Sequence, residues 1–155
     1  MKTTMKTNLN YRQAELKDIP ELSVLRLSVR ENQLSSPDKV TLAMYHDYLT
    51  TLGQGWLCEE DGQILGFSVA DVRDGSIWAL FVRPDSEGRG IGRTLLEMAC
   101  DWLFAQGHPK VSLSTGIGTR ADRFYEAHGW QRELQPGDRE VSYTVLPNLR
   151  KAIRS

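Results

Sequence analysis

The chain has 155 residues, of which 40% are hydrophobic and 25% are charged, with 19 basic residues against 20 acidic ones. These values are typical of one globular domain that folds on its own, and we expect a single domain over 1–155 with its core at about 9–146. The near balance of charge argues against nucleic acid and membrane surfaces as partners.

The two cysteines, Cys58 and Cys100, lie in apolar contexts without the spacing of metal ligands. We therefore expect buried thiols and no metal site. The first ten residues lack the apolar core of a signal peptide, and no stretch approaches the roughly 18 apolar residues of a membrane span. A cytoplasmic protein in a reducing compartment is the expectation.

Apolar periodicity and turn residues predict the helices and strands in the first half of the chain. A short alternating stretch predicts a strand within 9–16, and a helix opens at Asp18 and Pro20. A second helix is predicted from a cap signal at 35–38 to about Leu52, ended by Gly53 and Gly55. Residues 56–82 then predict three antiparallel strands in series, because Asp-Gly turns at 61–62 and 74–75 separate the apolar runs.

The second half predicts an amphipathic helix ended by Gly107, a strand at 110–115, a helix over 119–130 and a last hairpin around 136–138. The fold class is therefore α+β, with a mixed, mostly antiparallel sheet of about seven strands and about four helices. The strands near 77–82 and 110–115 are joined by a helix, so we expect these two to be parallel.

The stretch EGRGIG at 87–92 places three glycines at alternate positions between a predicted strand and a predicted helix. Backbone N–H groups and the helix dipole at such a junction favour a bound phosphate, with Arg89, Arg93 and Thr94 at the rim. One glycine alone would indicate only a tight turn. A P-loop needs Gly at 87 and Lys at 93, and a dinucleotide fingerprint needs G-x-G-x-x-G, so neither nucleotide loop fits.

The run LFVRPDSEGRGIGRTLL at 80–96 resembles the signature of the GNAT superfamily of acyl-CoA-dependent N-acyltransferases. The run ADRFYEAHGW at 121–130 resembles the second signature of that family, at the expected distance downstream. The resemblance extends over about 9–146. It implies a GNAT-like sheet with central strands splayed at a coenzyme A site, and an N-acetyltransferase that moves an acetyl group from acetyl-CoA directly to a primary amine of a small molecule or peptide.

The resemblance also implies site residues. In the family, this loop binds the pyrophosphate of coenzyme A. The corresponding residues here are Glu87, Gly88, Arg89, Gly90, Ile91 and Gly92. The pantetheine would lie along the main chain of Leu80, Phe81 and Val82, and Tyr125 matches the family tyrosine near the leaving sulfur.

Two residues depart from the family pattern. Glu87 stands where the family prefers Arg or Gln, so we expect its backbone N–H to contribute and its side chain to point away from the phosphates. Gly118 stands where the family commonly has Asn, which leaves pantetheine contacts from that position open.

Several assignments stay open at the level of sequence. The run at 77–82 offers no acid or histidine as a general base, so water or bulk solvent is the candidate acceptor of the proton. Neighbouring acids and the three histidines are interpreted as solvated, turn or capping residues: Glu59, Glu60, Asp71, Asp74, His46, His108 and His128. Trp78 faces either the core or the acceptor pocket, and Asn32, Gln33 and Tyr45 are candidate acceptor contacts.

Alternative functions remain at this stage. Glu87, Gly118 and the missing base are compatible with a non-catalytic acyl-CoA-binding or sensing domain on the same fold. A sheet-based interaction module, whose glycine loop is only a turn, is a third interpretation. The last hairpin offers an edge at which a second copy can pair, so a homodimer is a further expectation.

Overall fold

The computed structural model describes residues 8–29, 40–134, 136–137 and 139–147. Asn32 and Gln33 and the cap signal at 35–38 lie outside these residues. The elements, in chain order, are β1 (Asn10–Gln13), α1 (Ile19–Ser28), α2 (Leu42–Thr50), β2 (Gly53–Glu60), β3 (Gln63–Asp71), β4 (Ser76–Val82), α3 (Ile91–Ala105), β5 (Val111–Gly116), α4 (Arg120–Ala127), β6 (Gln131–Leu134) and β7 (Glu140–Val145).

The strands form one sheet in the order β1-β2-β3-β4-β5-β7-β6. Every neighbouring pair is antiparallel except β4 and β5, which are parallel because α3 connects them. In the described part of the chain the fold is thus a mostly antiparallel sheet of seven strands with four α-helices. The predicted α+β class, the element order and the parallel pair are confirmed.

Helices cover both faces of the sheet, and each face has its own apolar cluster. On one face, α3 and α4 bury side chains such as Leu95, Leu103 and Tyr125 against the strands. On the other face, α1 and α2 bury Leu22, Leu25 and Tyr45. The interior strand β3 is accordingly buried along nearly its whole length, as expected for a strand that is covered on both sides.

A β-bulge in β4 changes which side chains share a face. Val69 of β3 pairs with Ala79 and Ala70 pairs with Ile77, so Trp78 is the extra residue. Because of this insertion, Trp78 and Ala79 both pack toward α1 and α2, whereas Leu80 returns to the α3 face. The register between β4 and β5 covers one pair, Ser76 with Ser112, and the two strands separate beyond it.

Gly53 and Gly55 do not end α2 as predicted, because both lie inside β2. The helix ends at Thr50, and the glycines serve close packing of β2 instead. A Cβ at Gly53 would stand 1.7 Å from the carbonyl oxygen of Ala70, and one at Gly55 would stand 2.6 Å from Leu49 Cδ2. Close approach to Ala70 of β3 and to Leu49 of α2 therefore explains these glycines.

Cys58 and Cys100 are buried and form no disulfide, as predicted. Over the described residues, no helix is both long enough and apolar enough to cross a membrane. Over the same residues, no group of three or more His, Cys, Asp or Glu side chains is arranged to hold a metal ion.

Candidate active site

A cavity of about 860 Å³ opens where β4 and β5 separate. This volume lies in the range of small-molecule sites. Its walls come from four segments: β4, the loop from Pro84 to Gly90 with the first turn of α3 to Arg93, β5 at Leu113 to Thr115, and α4 with its caps Thr119 and His128. Val29, at the end of α1, completes the lining on the opposite face of the sheet.

The glycine loop leads from β4 into α3 along one wall of this cavity. Gly88 and Gly90 have φ values of 84° and 81°, a left-handed conformation that residues with a Cβ rarely adopt. Gly90 is the N-cap of α3 and has no side chain to accept a bond from the helix. The first N–H groups of α3 therefore lack a side-chain cap and carry the positive end of the helix dipole toward the cavity.

Gly92 is a glycine for a different reason. It lies in the first turn of α3, its φ is outside the left-handed region, and a Cβ there would make an ordinary contact of 3.5 Å with Val82 Cγ2. The protein itself therefore has room for a methyl group at this position. Because Gly92 lines the cavity, the space that its missing side chain leaves is available to a ligand.

Charged side chains at the loop make one end of the cavity polar. Arg93, Arg120 and Arg123 line the cavity, and Glu87 is the one carboxylate among its described lining residues. Glu87 Oε1 lies 2.8 Å from Arg120 Nη1, so its carboxylate is directed to the start of α4 and is neutralised there. We call the loop at 87–93 together with Arg120 the polar end.

Two of the predicted loop contacts lie behind the loop. Arg89 donates from Nη1 and Nη2 to the Glu60 carboxylate at 3.1 and 2.9 Å, which ties the loop to the end of β2. Neither Arg89 nor Thr94 is among the residues that line the cavity, whereas Glu87, Gly88, Gly90, Ile91, Gly92 and Arg93 are. A coenzyme contact from Arg89 or Thr94 stays a prediction.

The gap between the strands has polar groups available on both sides. Leu80, Phe81 and Val82 line it from β4, and their main chain has no register partner in β5; their contact with a pantetheine stays a prediction. Thr115 lines it from β5; the residue is 4% exposed, and its hydroxyl is buried without a hydrogen-bond partner among the described residues. An unpartnered buried hydroxyl destabilises the unliganded fold by about 1–3 kcal/mol, so a polar ligand group there is favourable.

Tyr125 lines the cavity from α4 and is only 5% exposed. Its ring packs on Phe124, Trp130 and Tyr143 at centroid distances of 5.2–5.5 Å. Burial raises the pKa of Tyr125 well above its ordinary value of 10.0, and the nearby Cys100 adds to the rise. The phenol is therefore neutral at physiological pH and is a hydrogen-bond donor.

Two aromatic and two aliphatic side chains form the end of the cavity on the α1 and α2 face, which we call the apolar end: Val29, Trp78, Ala79 and Phe81. Trp78 stacks on Tyr48, with centroids 4.0 Å apart and planes 14° apart, and it meets Tyr45 edge-on. Trp78 thus packs in the core and lines the cavity at once. Tyr45 is buried beneath it and does not line the cavity.

The acids considered as bases all have other partners. Glu59 accepts bonds from Arg12, Glu60 from Arg89, Asp71 from Arg73, and Asp74 from the Ser76 hydroxyl. None of the four lines the cavity. His46 is exposed beside Asp47, and His108 Nε2 lies 2.7 Å from the Val72 carbonyl oxygen.

His128 differs from the other histidines because it lines the cavity. Its Nδ1 lies 2.8 Å from the carbonyl oxygen of Phe124, and its ring packs on the Phe124 ring. The sequence interpretation of His128 as a solvated or capping residue did not place it in the cavity, and Thr115, Arg120 and Arg123 are lining residues that the sequence did not indicate. The signal for Arg120, Arg123 and His128 is their position in or directly before the second signature, whereas Thr115 has no such signal.

Comparisons with a family model and with curated proteins point to the same family. Residues 21–130 match the Acetyltransferase (GNAT) family. Peptidyl-lysine N-acetyltransferase YiaC of Escherichia coli (strain K12) is 31% identical over 116 residues, which cover 70% of this chain and 75% of the relative. Mycothiol acetyltransferase of Beutenbergia cavernae is 37% identical over 81 residues, which cover 48% of this chain and only 27% of that relative.

Solved structures show the same fold. An acetyltransferase of the GNAT family from Staphylococcus aureus Mu50 superposes with a TM-score of 0.71 at 20% identity, covering 89% of this chain and 98% of the other. The putative acetyltransferase yncA from Salmonella typhimurium, solved with its cofactor acetyl-CoA, gives a TM-score of 0.68 at 15% identity and covers 90% and 94%.

Proposed function

The chain belongs to the GNAT acetyltransferase family and is an acetyl-transferring enzyme, and from that premise we propose that its cavity binds acetyl-CoA and transfers the acetyl group directly to a primary amine. The observation that carries this proposal is Gly92, since the protein has room there for a Cβ and leaves that room on the cavity wall. Among the described residues, no packing requirement accounts for that glycine.

The polar end has the features that a pyrophosphate requires. Uncapped N–H groups of α3 and the positive end of its dipole supply donors. Arg93 and Arg120 supply guanidinium groups, which bind phosphate oxygens in a bidentate manner. The ion pair between Glu87 and Arg120 means that a phosphate would compete with a carboxylate for the same guanidinium.

The gap between β4 and β5 suits a chain that carries amide groups. The main chain of β4 offers donors and acceptors at alternate residues, Leu80 and Val82, on one side, and the Thr115 hydroxyl offers one buried group on the other. The pantetheine arm has amides that can satisfy these groups. Burial of an unpartnered hydroxyl is unfavourable, so this match supports the assignment.

Acetyl-CoA supplies a thioester, whose carbonyl carbon is the electrophile for the amine. A main-chain N–H of β4 polarises the carbonyl by donating to its oxygen. Tyr125 donates a hydrogen bond to the sulfur as negative charge develops there, because burial keeps its phenol protonated. Full proton transfer from Tyr125 is unfavourable, since the phenol is a weaker acid than a thiol of pKa about 8.5.

The amine must lose a proton during the reaction. No described residue in the cavity lining is a carboxylate except Glu87, which is paired with Arg120 at the polar end. We propose that water in the open cavity accepts this proton. The acceptor itself approaches from the apolar end, past Val29 and Trp78.

Two measurements test the function. Calorimetry with acetyl-CoA tests binding, and consumption of acetyl-CoA is then followed over lysine peptides, other peptides, amino acids, polyamines and aminoglycosides. Binding together with turnover of one amine class is the expected result. Binding without turnover of any amine would favour a sensing domain, and absence of binding would overturn the proposal.

Gly92→Ala is the matched variant for the coenzyme site. Its thermal stability should equal or exceed that of the wild type, since Ala is favoured over Gly within a helix. Acetyl-CoA affinity should fall about tenfold, because the added methyl group overpacks the bound ligand. Unchanged affinity would show that the ligand does not use this space.

Two finer points are also proposals. Buried free thiols at Cys58 and Cys100 support a reducing, cytoplasmic location. The exposed edge strand β6 supports pairing with a second copy. Light scattering on the purified protein tests the second point.

A further inference from the structure

A buried carboxylate on α4 joins three elements behind Tyr125. Asp122 is 4% exposed and accepts bonds from Arg132 Nε and Nη2 at 3.0 and 2.9 Å. The backbone N–H of Gly118 donates to Asp122 Oδ2 at 2.9 Å, and Tyr143 Oη lies 2.5 Å from Oδ1 and donates to it. We call Asp122, Arg132 and Tyr143 the Asp122 cluster.

Electrostatics keep this cluster bonded over a wide pH range. The hydrogen bonds from Arg132 lower the pKa of Asp122 well below its ordinary value and outweigh the effect of burial. Burial, with the adjacent Asp122 carboxylate, raises the pKa of Tyr143 to about 12. At neutral pH, Asp122 is therefore an acceptor and Tyr143 a donor, which is the pairing that the distances require.

The cluster touches Tyr125 through Tyr143. The Tyr143 ring lies 5.4 Å from the Tyr125 ring, while the Tyr143 hydroxyl is bonded to Asp122, one helical turn before Tyr125. Ring contacts hold Tyr125 on this side, and no side-chain hydrogen bond to its hydroxyl is present among the described residues. The position of the phenol thus depends on where α4 and Tyr143 are held.

We propose that Asp122, Arg132 and Tyr143 are positioning residues that set the Tyr125 hydroxyl in the cavity, an inference that rests on the proposed acetyl transfer. Arg132 holds Asp122 from β6, and Tyr143 holds it from β7 and packs on the Tyr125 ring. A loss of this support moves the phenol relative to the sulfur, and small displacements of a reacting group lower the rate strongly.

The chain contains a matched control on the opposite side of the sheet. Arg12 donates from Nη1 and Nη2 to the buried Asp18 at 3.0 and 2.9 Å, and it also bonds Glu59. The Arg12 and Arg132 side chains are similarly exposed, 27% and 31%. In the described part of the chain, Arg12 and its partners Asp18 and Glu59 make no ring contact or hydrogen bond with Tyr125 or Tyr143, so this cluster is a control for a stabilising role alone.

Steady-state kinetics on Tyr143→Phe, Arg132→Lys and Arg12→Lys test the proposal. We expect the first two to lower kcat about tenfold with KM for acetyl-CoA changed less than about twofold, and Arg12→Lys to leave kcat unchanged. In a Tyr125→Phe background, the first two substitutions should have no further effect on kcat. An equal loss in both backgrounds, or a loss of thermal stability without loss of kcat, would overturn the positioning role.

A second measurement does not depend on turnover. The ¹³C-labelled ring signal of Tyr125, assigned by its absence in Tyr125→Phe, should shift in Tyr143→Phe and Arg132→Lys and stay in place in Arg12→Lys. Calorimetry with acetyl-CoA on the wild type tests the proposed function separately. Failure of the wild type to bind acetyl-CoA would overturn the proposed function. A Tyr125 signal that does not shift in Tyr143→Phe and Arg132→Lys would overturn the positioning role.

Discussion

The two ends of the cavity are built on different physical principles. The polar end presents guanidinium groups and N–H groups of α3 that lack a side-chain cap. The apolar end presents the side chains of Val29, Trp78 and Phe81. If the proposed function holds, this difference predicts that coenzyme affinity and acceptor specificity are set separately, with Tyr125 on the wall between the two ends.

The largest effect is expected at Tyr125, which belongs to neither end. Tyr125→Phe should lower kcat about 100-fold, because the sulfur loses its donor. Coenzyme affinity, measured by calorimetry, should change less than about twofold, since the ring and its packing remain. An unaltered kcat would show that the Tyr125 hydroxyl has no role in the reaction.

The raised pKa of Tyr125 also predicts a pH dependence. Its stabilising contribution is fully present below the unfolded-state pKa of about 10 and is lost as the pH rises beyond that value. Turnover should therefore show no fall from ionisation of Tyr125 below about pH 10. A pH-rate profile of the wild type beside Tyr125→Phe provides the check.

Arg120→Ala tests the polar end. Acetyl-CoA affinity should fall about tenfold, because a charged hydrogen bond is lost and Glu87 is left without its partner. The salt dependence of binding should also become less steep, while KM for the acceptor stays the same. A change confined to the acceptor KM would contradict the separation of the two ends.

Trp78→Leu tests the apolar end. KM for the acceptor should rise about fivefold, since an aromatic wall is replaced by a smaller side chain. Acetyl-CoA affinity should be retained, because Trp78 lies on the α1 and α2 face, away from the glycine loop. Calorimetry with acetyl-CoA and kinetics with the acceptor are needed together. A loss of coenzyme affinity that exceeds the rise in acceptor KM would contradict the separation of the two ends.

The smallest effect is expected for Glu87→Gln. Its carboxylate competes with phosphate for Arg120, so removal of the charge should tighten acetyl-CoA binding about threefold. Calorimetry at low salt is the sensitive measurement. Weaker binding in this variant would mean that Glu87 positions Arg120 for the coenzyme and does not compete with it.

Local patterns predicted most of the fold and the position of the site. The Asp-Gly turns defined the central hairpins, and the glycine loop predicted the junction of β4 and α3, because both depend on neighbouring residues. The face of Trp78 could not be predicted, since it depends on a one-residue bulge in the pairing of β4 with β3.

The partners in the ion pairs could not be predicted from the sequence either. Glu60 precedes Arg89 by 29 positions, and their pairing follows from where the β2 end meets the loop in space. Arg120 and Glu87 come together for the same reason. Thr115 has the sequence pattern of an ordinary strand residue, and only the separation of β4 from β5 places it in the cavity lining.

The pair between Arg89 and Glu60 has a consequence for how fast a ligand can bind. It ties the glycine loop to the end of β2 in the unliganded protein, so we expect the loop to lose less conformational entropy when a ligand binds. Association would then need no slow rearrangement of this wall, and we expect a rate constant near that of a rigid site. Arg89, although it lies behind the loop, is thus expected to affect the rate of association.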